Sequence, residues 1–593
     1  MRRWAGPGYA LMLALLVVAP LLGPGYLLLR DAVSTPRSYL SDAALGLGES
    51  APRATPQDFA VAAASHLVDG GVVVKALLLV GLWLAGCGAA RLVATVLPAS
   101  GRPGQFVAIT VAIWNPYVAE RLLQGHWSLL VGYGCLPWVA ATTLALRTSG
   151  PAGNSGERAQ LHAQTPENPY ICARSRAWPG FFALAFWLAL AGLTPTGLIL
   201  AATVALVCLV PSGAGRPRWQ CAAVTLAAAA VAALPWLLGW TLGAACCTPD
   251  AAPGVDAFAA RAEPGLGTLG SLASLGGIWN AEAVPGSRTT LFTVAAAVVM
   301  LGVVAAGLPA VLRRRPALPL LVLAAVAVLV PAALATGPGL AVLRALLDAV
   351  PGLGVLRDGQ KWVALAMPGY ALAAAGAVLT ARRWLAPAVT AVACCVAVLA
   401  GLPDLAWGAW GKVAPVHYPS GWAAVAARIN ADPRPVAVLP ADSMRRFAWA
   451  GAAPVLDPLP RWVRANVWAT GDLNVAGHTV PGEGARARDV QRLLLAGADP
   501  AALSNAGVGW VVVESGGELG AAAKTLDRVP VAYRDSDLAL YRLRGDTAGA
   551  GADRRRAAVA AHLAWLALLV AGGTGAAVAG WRRREHDKVG SDG

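Results

Sequence analysis

Residues 104–138 read GQFVAITVAIWNPYVAERLLQGHWSLLVGYGCLPW, two apolar runs separated by a polar turn at 120–127. A helix needs about 20 predominantly apolar residues to cross the hydrocarbon core of a bilayer, so apolar runs on both sides of a short polar turn predict a pair of membrane-spanning helices. Similar runs recur from the N-terminus to residue 403 and once more near the C-terminus. The pattern therefore predicts a polytopic α-helical membrane protein.

The composition of the whole chain favours the same class. Of 593 residues, 57% are hydrophobic and 13% are charged, whereas soluble domains are roughly 45–50% apolar and about 25% charged. The formal net charge of +15 would indicate nucleic acid if the basic residues formed a stripe, but they form short clusters beside apolar runs. The predicted partner is a lipid bilayer, with no nucleic acid.

About twelve runs are candidates for membrane spans, and Arg and Lys clusters fall on alternate sides of them. Under the positive-inside rule this places both termini in the cytoplasm and the chain in the plasma membrane. The predicted spans are 8–29, 72–90, 104–119, 128–146, 179–194, 196–211, 220–243, 290–311, 317–336, 362–380, 385–403 and 557–580. The predicted cytoplasmic clusters are Arg91 and Arg102, Arg147 to Arg176, Arg216 and Arg218, Arg313 to Arg315, Arg382 and Arg383, and Arg582 to Arg584.

Three features leave alternatives open. Pro116 interrupts the third run, and the fifth and sixth runs meet at Thr194-Pro195-Thr196, which is also typical of a re-entrant hairpin. Arg554 to Arg556 lie on the outer side of the last run, against the general bias. Eleven spans in place of twelve would reverse the side of the polar segment that precedes that run.

That polar segment divides the chain into three predicted parts. Residues 1–403 form the multi-span domain, 404–555 form an extracytoplasmic α/β domain, and 556–593 form the last span with a short basic tail. The middle part alternates helix near 420–430, strand 435–439, helix near 487–496, strand 508–513 and a hairpin of 529–533 with 538–543. It contains no cysteine and no glycine-rich phosphate-binding motif, which argues against a disulfide framework and against nucleotide binding.

Ionisable residues at membrane boundaries are costly and default to functional-site candidates. In the predicted topology they gather on the extracytoplasmic side, in three loops. The candidates are Asp31 in the first loop, Asn115, Glu120, Arg121, Gln124 and His126 in the second, and Arg357, Asp358 and Lys361 before the tenth span. We expect Glu120, Gln124 and Trp127 to share one helix face through their i, i+4, i+7 spacing.

Each candidate also has a purely structural interpretation. Asp31 can pair with Arg30, Glu120 with Arg121, and His126 can be an ordinary interfacial histidine. Lys361 at a span boundary can simply extend its ammonium toward water. The sequence contains no clear metal motif, so the cofactor requirement is unknown and a divalent metal stays open.

Two stretches resemble motifs of a known enzyme class. Trp114-Asn115-Pro116-Tyr117, Glu120-Arg121-Leu122, Gln124-Gly125-His126-Trp127 and Leu136-Pro137-Trp138 are similar to a motif of actinobacterial α-(1→3)-arabinofuranosyltransferase-type membrane proteins. Leu356-Arg357-Asp358 with Gln360-Lys361-Trp362 resembles a second motif, shared with YfhO-like membrane proteins. The similarity covers the chain to about residue 380. The proteins that share these motifs fall in or near the GT-C class of glycosyltransferases.

The resemblance implies a GT-C-like fold and a function. Members of that class use polyprenyl-phosphate sugars and hold an acidic catalytic residue in the first outer loop, where this chain has Asp31. The implied reaction moves an arabinofuranose- or mannose-like sugar to a cell-envelope glycan, with the other candidates binding substrate. Many members carry paired acidic residues there, whereas this chain has isolated Asp31 and Asp42. A lipid-linked-sugar flippase and a non-catalytic envelope-assembly protein of the same fold are the alternatives.

Overall fold

The fold is known from a computed structural model that describes residues 4–49, 51–148, 178–243, 254–350, 352–475, 478–514, 519–547 and 549–589. The predicted basic turn from Arg147 to Arg176 lies mostly outside these residues. The helices before residue 243 are α1 Ala5–Val18, α2 Gln57–Ala64, α3 Gly70–Val96, α4 Gly101–Ile113, α5 Pro116–Gln124, α6 Trp127–Thr148, α7 Trp178–Ala191, α8 Pro195–Val207 and α9 Arg218–Leu242. The next are α10 Gly267–Ala273, α11 Phe292–Val311, α12 Leu318–Leu334, α13 Gly337–Ala349, α14 Met367–Ala381 and α15 Pro387–Ala400.

Among the described residues, eight helices are long and apolar enough to cross a membrane. They are Ala5–Leu22, Gly70–Val96, Trp127–Thr148, Arg218–Leu242, Phe292–Val311, Arg315–Leu334, Gly359–Ala381 and Ala552–Arg582. The chain is therefore a polytopic helical protein. A ninth candidate, Pro387–Ala400 with Pro403–Trp410, bends by 71° at its break.

The remaining predicted spans have short or interrupted helices, so the count of twelve stays a prediction. Within the described residues, which resume at Trp178, the fifth and sixth runs form α7 and α8, of 14 and 13 residues. The third run is divided between α4, of 13 residues, and α5, of nine. Local sequence explains the division, because Asn115 caps α5 by accepting from the Val118 amide and Pro116 occupies its first turn.

Helix α5 ends sooner than its spacing suggests. Gly125 takes the left-handed conformation at φ 85°, and α6 begins anew at Trp127, so the chain turns between Gln124 and Trp127. The prediction that Glu120, Gln124 and Trp127 share one helix face was therefore wrong. A glycine at this position stops a helix that hydrophobic spacing alone would continue.

An α/β unit, residues 420–542, precedes the last helix. Its helices are α16 Ser420–Ala431, α17 Leu459–Trp462, α18 Ala485–Leu495, α19 Pro500–Asn505 and α20 Ala523–Leu526, and α21 Ala552–Val589 follows it. Chain-wide, the strands are β1 Leu28–Leu29, β2 Ala32–Val33, β3 Val436–Leu439, β4 Met444–Arg445, β5 Val455–Leu456, β6 Val467–Trp468, β7 Leu473–Val475, β8 His478–Val480, β9 Trp510–Glu514, β10 Val531–Arg534 and β11 Leu538–Arg542.

Five of these strands form the main sheet, in the order β10-β11-β9-β3-β6. Strand β3 is parallel to β9 and β6, and β11 is antiparallel to both of its neighbours. The predicted helices and strands of this segment are present, with ends shifted by at most two residues. The side of the membrane on which the unit lies stays a prediction.

Candidate functional site

Asp31 lies at the tip of a hairpin that joins the two parts of the molecule. Strands β1 and β2 pair Leu28 with Val33 and Leu29 with Ala32, which leaves Arg30 and Asp31 as the two-residue turn. Leu28 and Val33 pack in the core of the α/β unit, whereas Leu29 and Ala32 pack in the core of the helix bundle. The Asp31 side chain is 40% exposed at this junction.

One oxygen of the Asp31 carboxylate is held by the end of α5. Its Oδ2 accepts from Gln124 Nε2 at 3.0 Å and lies 2.9 Å from His126 Nε2. The Asp31 amide also donates to the Gln124 carbonyl oxygen at 3.2 Å. Within the described part of the chain, Oδ1 has no hydrogen-bond partner, so one oxygen stays open to a ligand.

A chain of contacts extends from His126 to the start of the predicted tenth span. Arg121 Nη1 lies 3.1 Å from His126 Nδ1, and the Arg121 guanidinium binds both oxygens of Asp358, at 2.7 and 2.8 Å. A guanidinium can only donate, so Nδ1 accepts and the proton of the neutral imidazole is on Nε2, where it donates to Asp31. Lys361 Nζ completes the chain 3.9 Å from Asp358 Oδ2.

The charges of the residues from Asp31 to Lys361 in this series of contacts support those protonation states. Partial burial by itself raises the pKa of Asp31, but hydrogen bonds from His126 and Gln124 and the Lys361 charge hold that pKa below its usual range. Burial lowers the pKa of His126, and the charges of Arg121 and Lys361 lower it further, against the opposing effect of Asp31. Burial also opposes ionisation of Asp358, yet the Arg121 guanidinium holds the Asp358 pKa well below its usual range. At neutral pH the site therefore holds two carboxylates, the Arg121 cation and a neutral histidine. Burial lowers the pKa of Lys361, against the attraction of Asp358.

Glu120 belongs to a different polar cluster. Its carboxylate accepts from the amides of Gly277 and Ile278 at 3.2 and 3.0 Å and from Gln360 Nε2 at 3.1 Å. Beside it the buried pair of Glu263 and Arg288 joins Oε1 to Nε at 3.0 Å. Glu120 therefore fastens α5 to the 277–278 backbone. The structural interpretation of the sequence, in which Glu120 pairs with Arg121, was wrong.

The other predicted residues take different positions. The Asn115 amide donates to the Val111 carbonyl oxygen at 2.8 Å and to Tyr133 Oη at 3.0 Å, so its side chain serves the start of α5. The Arg357 guanidinium lies over the Phe258 ring, 4.8 Å from its centroid. Of the nine predicted site residues, six thus form one connected network: Asp31, Arg121, Gln124, His126, Asp358 and Lys361.

Two polar residues that contact predicted site residues were not among the candidates selected from the sequence. Asn280 donates to Gln124 Oε1 at 2.8 Å and so orients the amide that binds Asp31. Gln360 stands in the motif that contains Lys361, but its contact with Glu120 needs the fold to be seen. The available signal for Gln360 was its place beside Lys361, whereas Asn280 lies in neither of the two motifs.

A search for a metal site and a comparison with known proteins complete the description of the site. In the described parts of the chain, no group of three or more His, Cys, Asp or Glu side chains is arranged to hold a metal ion. Comparison with known proteins finds no matching family model and no matching curated protein. Chemically, the arrangement offers an ionised carboxylate that can accept a proton beside a lysine ammonium that can bind an anion.

Proposed function

We propose that the chain is an extracytoplasmic-facing, GT-C-like glycosyltransferase that moves a sugar from a polyprenyl-phosphate donor to a cell-envelope glycan. The observation that carries the proposal is the Asp31 carboxylate, fixed through Oδ2 by His126 and Gln124 and open at Oδ1. A base must be held within reach of the proton that it abstracts. This carboxylate is held by two neighbours, and its side chain is 40% exposed.

The reaction is a single inverting displacement at the anomeric carbon. The acceptor hydroxyl oxygen bonds to that carbon while the bond from the carbon to the phosphate oxygen breaks, and the hydroxyl proton goes to Asp31 Oδ1. Polyprenyl phosphate leaves with the bonding electron pair. Because the hydroxyl becomes strongly acidic only as the new bond forms, a carboxylate of low pKa can accept the proton.

Lys361 supports the donor side of the reaction. Arg121 already neutralises Asp358 through a two-point ion pair, so the Lys361 charge, 23% exposed as a side chain, is available to a phosphate. A cation placed where negative charge develops stabilises the departing phosphate. Arg357, four residues earlier, is the second candidate for this role.

The charge distribution favours a transferase over a flippase. A flippase needs a polar path through the bilayer, and Lys75, the one clear charge within a predicted span, donates to the carbonyl oxygens of Gly23 and Gly25 at 2.9 Å each. Its ammonium therefore points to the same end as the Asp31 site.

The decisive variant is Asp31→Asn. We expect it to reduce transfer from polyprenyl-phosphate sugars to a glycan acceptor by roughly 10²–10⁴-fold, because the amide cannot take the proton. The assay compares purified membranes at equal protein level. The matched control is Asp256→Asn, which removes a carboxylate from an exposed pair with Arg344 and should leave the rate unchanged.

Other outcomes point to the alternatives. Equal rates for Asp31→Asn and wild type would remove Asp31 from the mechanism. Absence of product from the wild type with several donor sugars would favour the non-catalytic assembly protein, and transport of a lipid-linked sugar without transfer would favour the flippase.

A further inference from the structure

The turn that carries Asp31 is fastened to the α/β unit by backbone hydrogen bonds. The Arg30 amide donates to the Pro454 carbonyl oxygen at 3.0 Å, and the Leu456 amide donates to the Arg30 carbonyl oxygen at 2.8 Å. Arg30 is thus paired in parallel with Val455 of β5. Arg30, the residue before the proposed base, therefore pairs through its backbone with a strand of the α/β unit.

The Arg30 side chain fastens the same turn to the helix bundle. Its Nη1 donates to the Leu123 carbonyl oxygen in the last turn of α5 at 2.7 Å, and its Nη2 donates to the Glu282 carbonyl oxygen at 2.9 Å. Arg30 is only 6% exposed. A guanidinium on the last carbonyls of a helix also satisfies groups that have no partner within the helix.

The backbone of Arg30 indicates that the side chain is the reason for this residue type. Its φ is 47°, in the left-handed region where a residue with a side chain is strained and glycine is not. Glycine would suit the turn alone. The contacts to Leu123 and Glu282, which glycine cannot make, offset the strain.

A buried ion cluster fixes the β4–β5 hairpin to the main sheet. Arg445 on β4 contacts Glu514, the last residue of β9, and lies 3.5 Å from Asp457, the residue after β5. Each of these three side chains is at most 2% exposed. Removing one partner from a buried cluster of this kind strongly destabilises the fold. The strand that holds Arg30 is therefore itself fixed in place.

We infer that Arg30 is a positioning residue through which the α/β unit sets the place of Asp31. The inference rests on the proposed function for its kinetic consequence, since Asp31 matters most if it is the base. It assigns the α/β unit a part in building the site, distinct from any binding of glycan. Arg30 touches no substrate in this scheme and acts through the turn that it holds.

The kinetic test compares Arg30→Ala with Arg37→Ala. Arg37 is a matched control, because it lies in the same loop and donates to a carbonyl oxygen, that of Ser65, at 3.2 Å. We expect Arg30→Ala to lower kcat by about 10²-fold, the cost of misplacing a catalytic group by ~1 Å, with an acceptor KM near that of wild type. Millimolar guanidinium ion should restore part of the rate in Arg30→Ala and none in Asp31→Asn. If the wild type is active, an Arg30→Ala rate that guanidinium does not restore would overturn the inference.

The structural test needs no transfer activity. Hydrogen exchange of peptides covering 27–34 reports the Arg30 and Asp31 amides, which donate to Pro454 and Gln124. Protection should fall in Arg30→Ala and remain in Arg37→Ala. If Arg30→Ala fails to fold, Arg30→Lys takes its place, with a smaller expected loss because one ammonium replaces a two-point fork. Unchanged protection would overturn the positioning role, whereas loss of protection in a protein with no transferase activity would overturn only the proposed function.

Discussion

At the scale of single residues, the proton on His126 Nε2 decides how basic Asp31 is. The hydrogen bond from His126 is the largest of the effects that lower the pKa of Asp31 against burial. His126→Leu removes it, so we expect the pKa of Asp31 to rise and the acid limb of the pH–rate profile to move to higher pH. His126→Gln, which keeps a donor, should move it less. An acid limb that stays in place in His126→Leu would show that Asp31 is not the group that titrates.

Sequence position alone was enough to select Asp31 and His126, and it was not enough to separate Glu120 from Arg121. Arg30 and Asp31 directly follow an apolar run, and His126 stands in a turn between two runs, where charged or polar groups are conspicuous. Adjacent residues on a helix point about 100° apart, so Glu120 and Arg121 meet different partners. Those partners, Ile278 and Asp358, lie more than 150 residues away and leave no local signal.

At the scale of elements, the pair of Arg121 and Asp358 joins α5 to the 3₁₀ helix Gly359–Ala366. Their side chains are 0% and 7% exposed, and removing one partner of such a pair costs about 3–5 kcal/mol. We expect Asp358→Asn to lower the free energy of unfolding in detergent by that amount. Because the folded-state pKa of Asp358 is depressed, this contribution is present above a pH of about 4 and is lost as the pH falls through the lowered folded-state pKa.

Two variants check this interpretation of the pair. Asp256→Asn breaks a pair whose side chains are 45% and 64% exposed and should cost less than about 1 kcal/mol. The double variant Arg121→Met with Asp358→Leu removes both charges and should recover much of the stability. A loss in Asp358→Asn no larger than that in the control would contradict the assignment.

The elements themselves were the most predictable feature of the chain. Apolar runs identify the long helices, and alternation identified the strands of the α/β unit, because both patterns are local. Helix ends were less predictable: α5 stops at Gly125, although a pattern of 3.6 residues continues through it. Helices α7 and α8 are apolar but shorter, within the described residues, than the about 20 residues that a span needs. The count of twelve spans therefore stays a prediction.

At the scale of the whole molecule, the hairpin β1–β2 is shared by two cores that are far apart in sequence. Leu28 and Val33 pack among residues of the α/β unit near 422–540, and Leu29 and Ala32 pack with the helix bundle. A separation of about 400 residues gives no periodic pattern to read. The sequence could therefore predict a multi-span domain and an α/β domain, and it could not predict that this hairpin packs in the cores of both.

The orientation of the whole molecule decides whether the Asp31 site faces outward. Arginine clusters alternate along the chain, and the positive-inside rule then places the α/β unit outside and the turn between α8 and α9 inside. In a background without native cysteines, Ser536→Cys in the turn between β10 and β11 should react with a membrane-impermeant thiol reagent in intact cells. Ser212→Cys, exposed in the other turn, should react only after the membrane is permeabilised. Both turns are exposed, so the two variants serve as controls for each other. Reversed labelling would place the Asp31 site on the cytoplasmic face and would exclude an extracytoplasmic acceptor glycan.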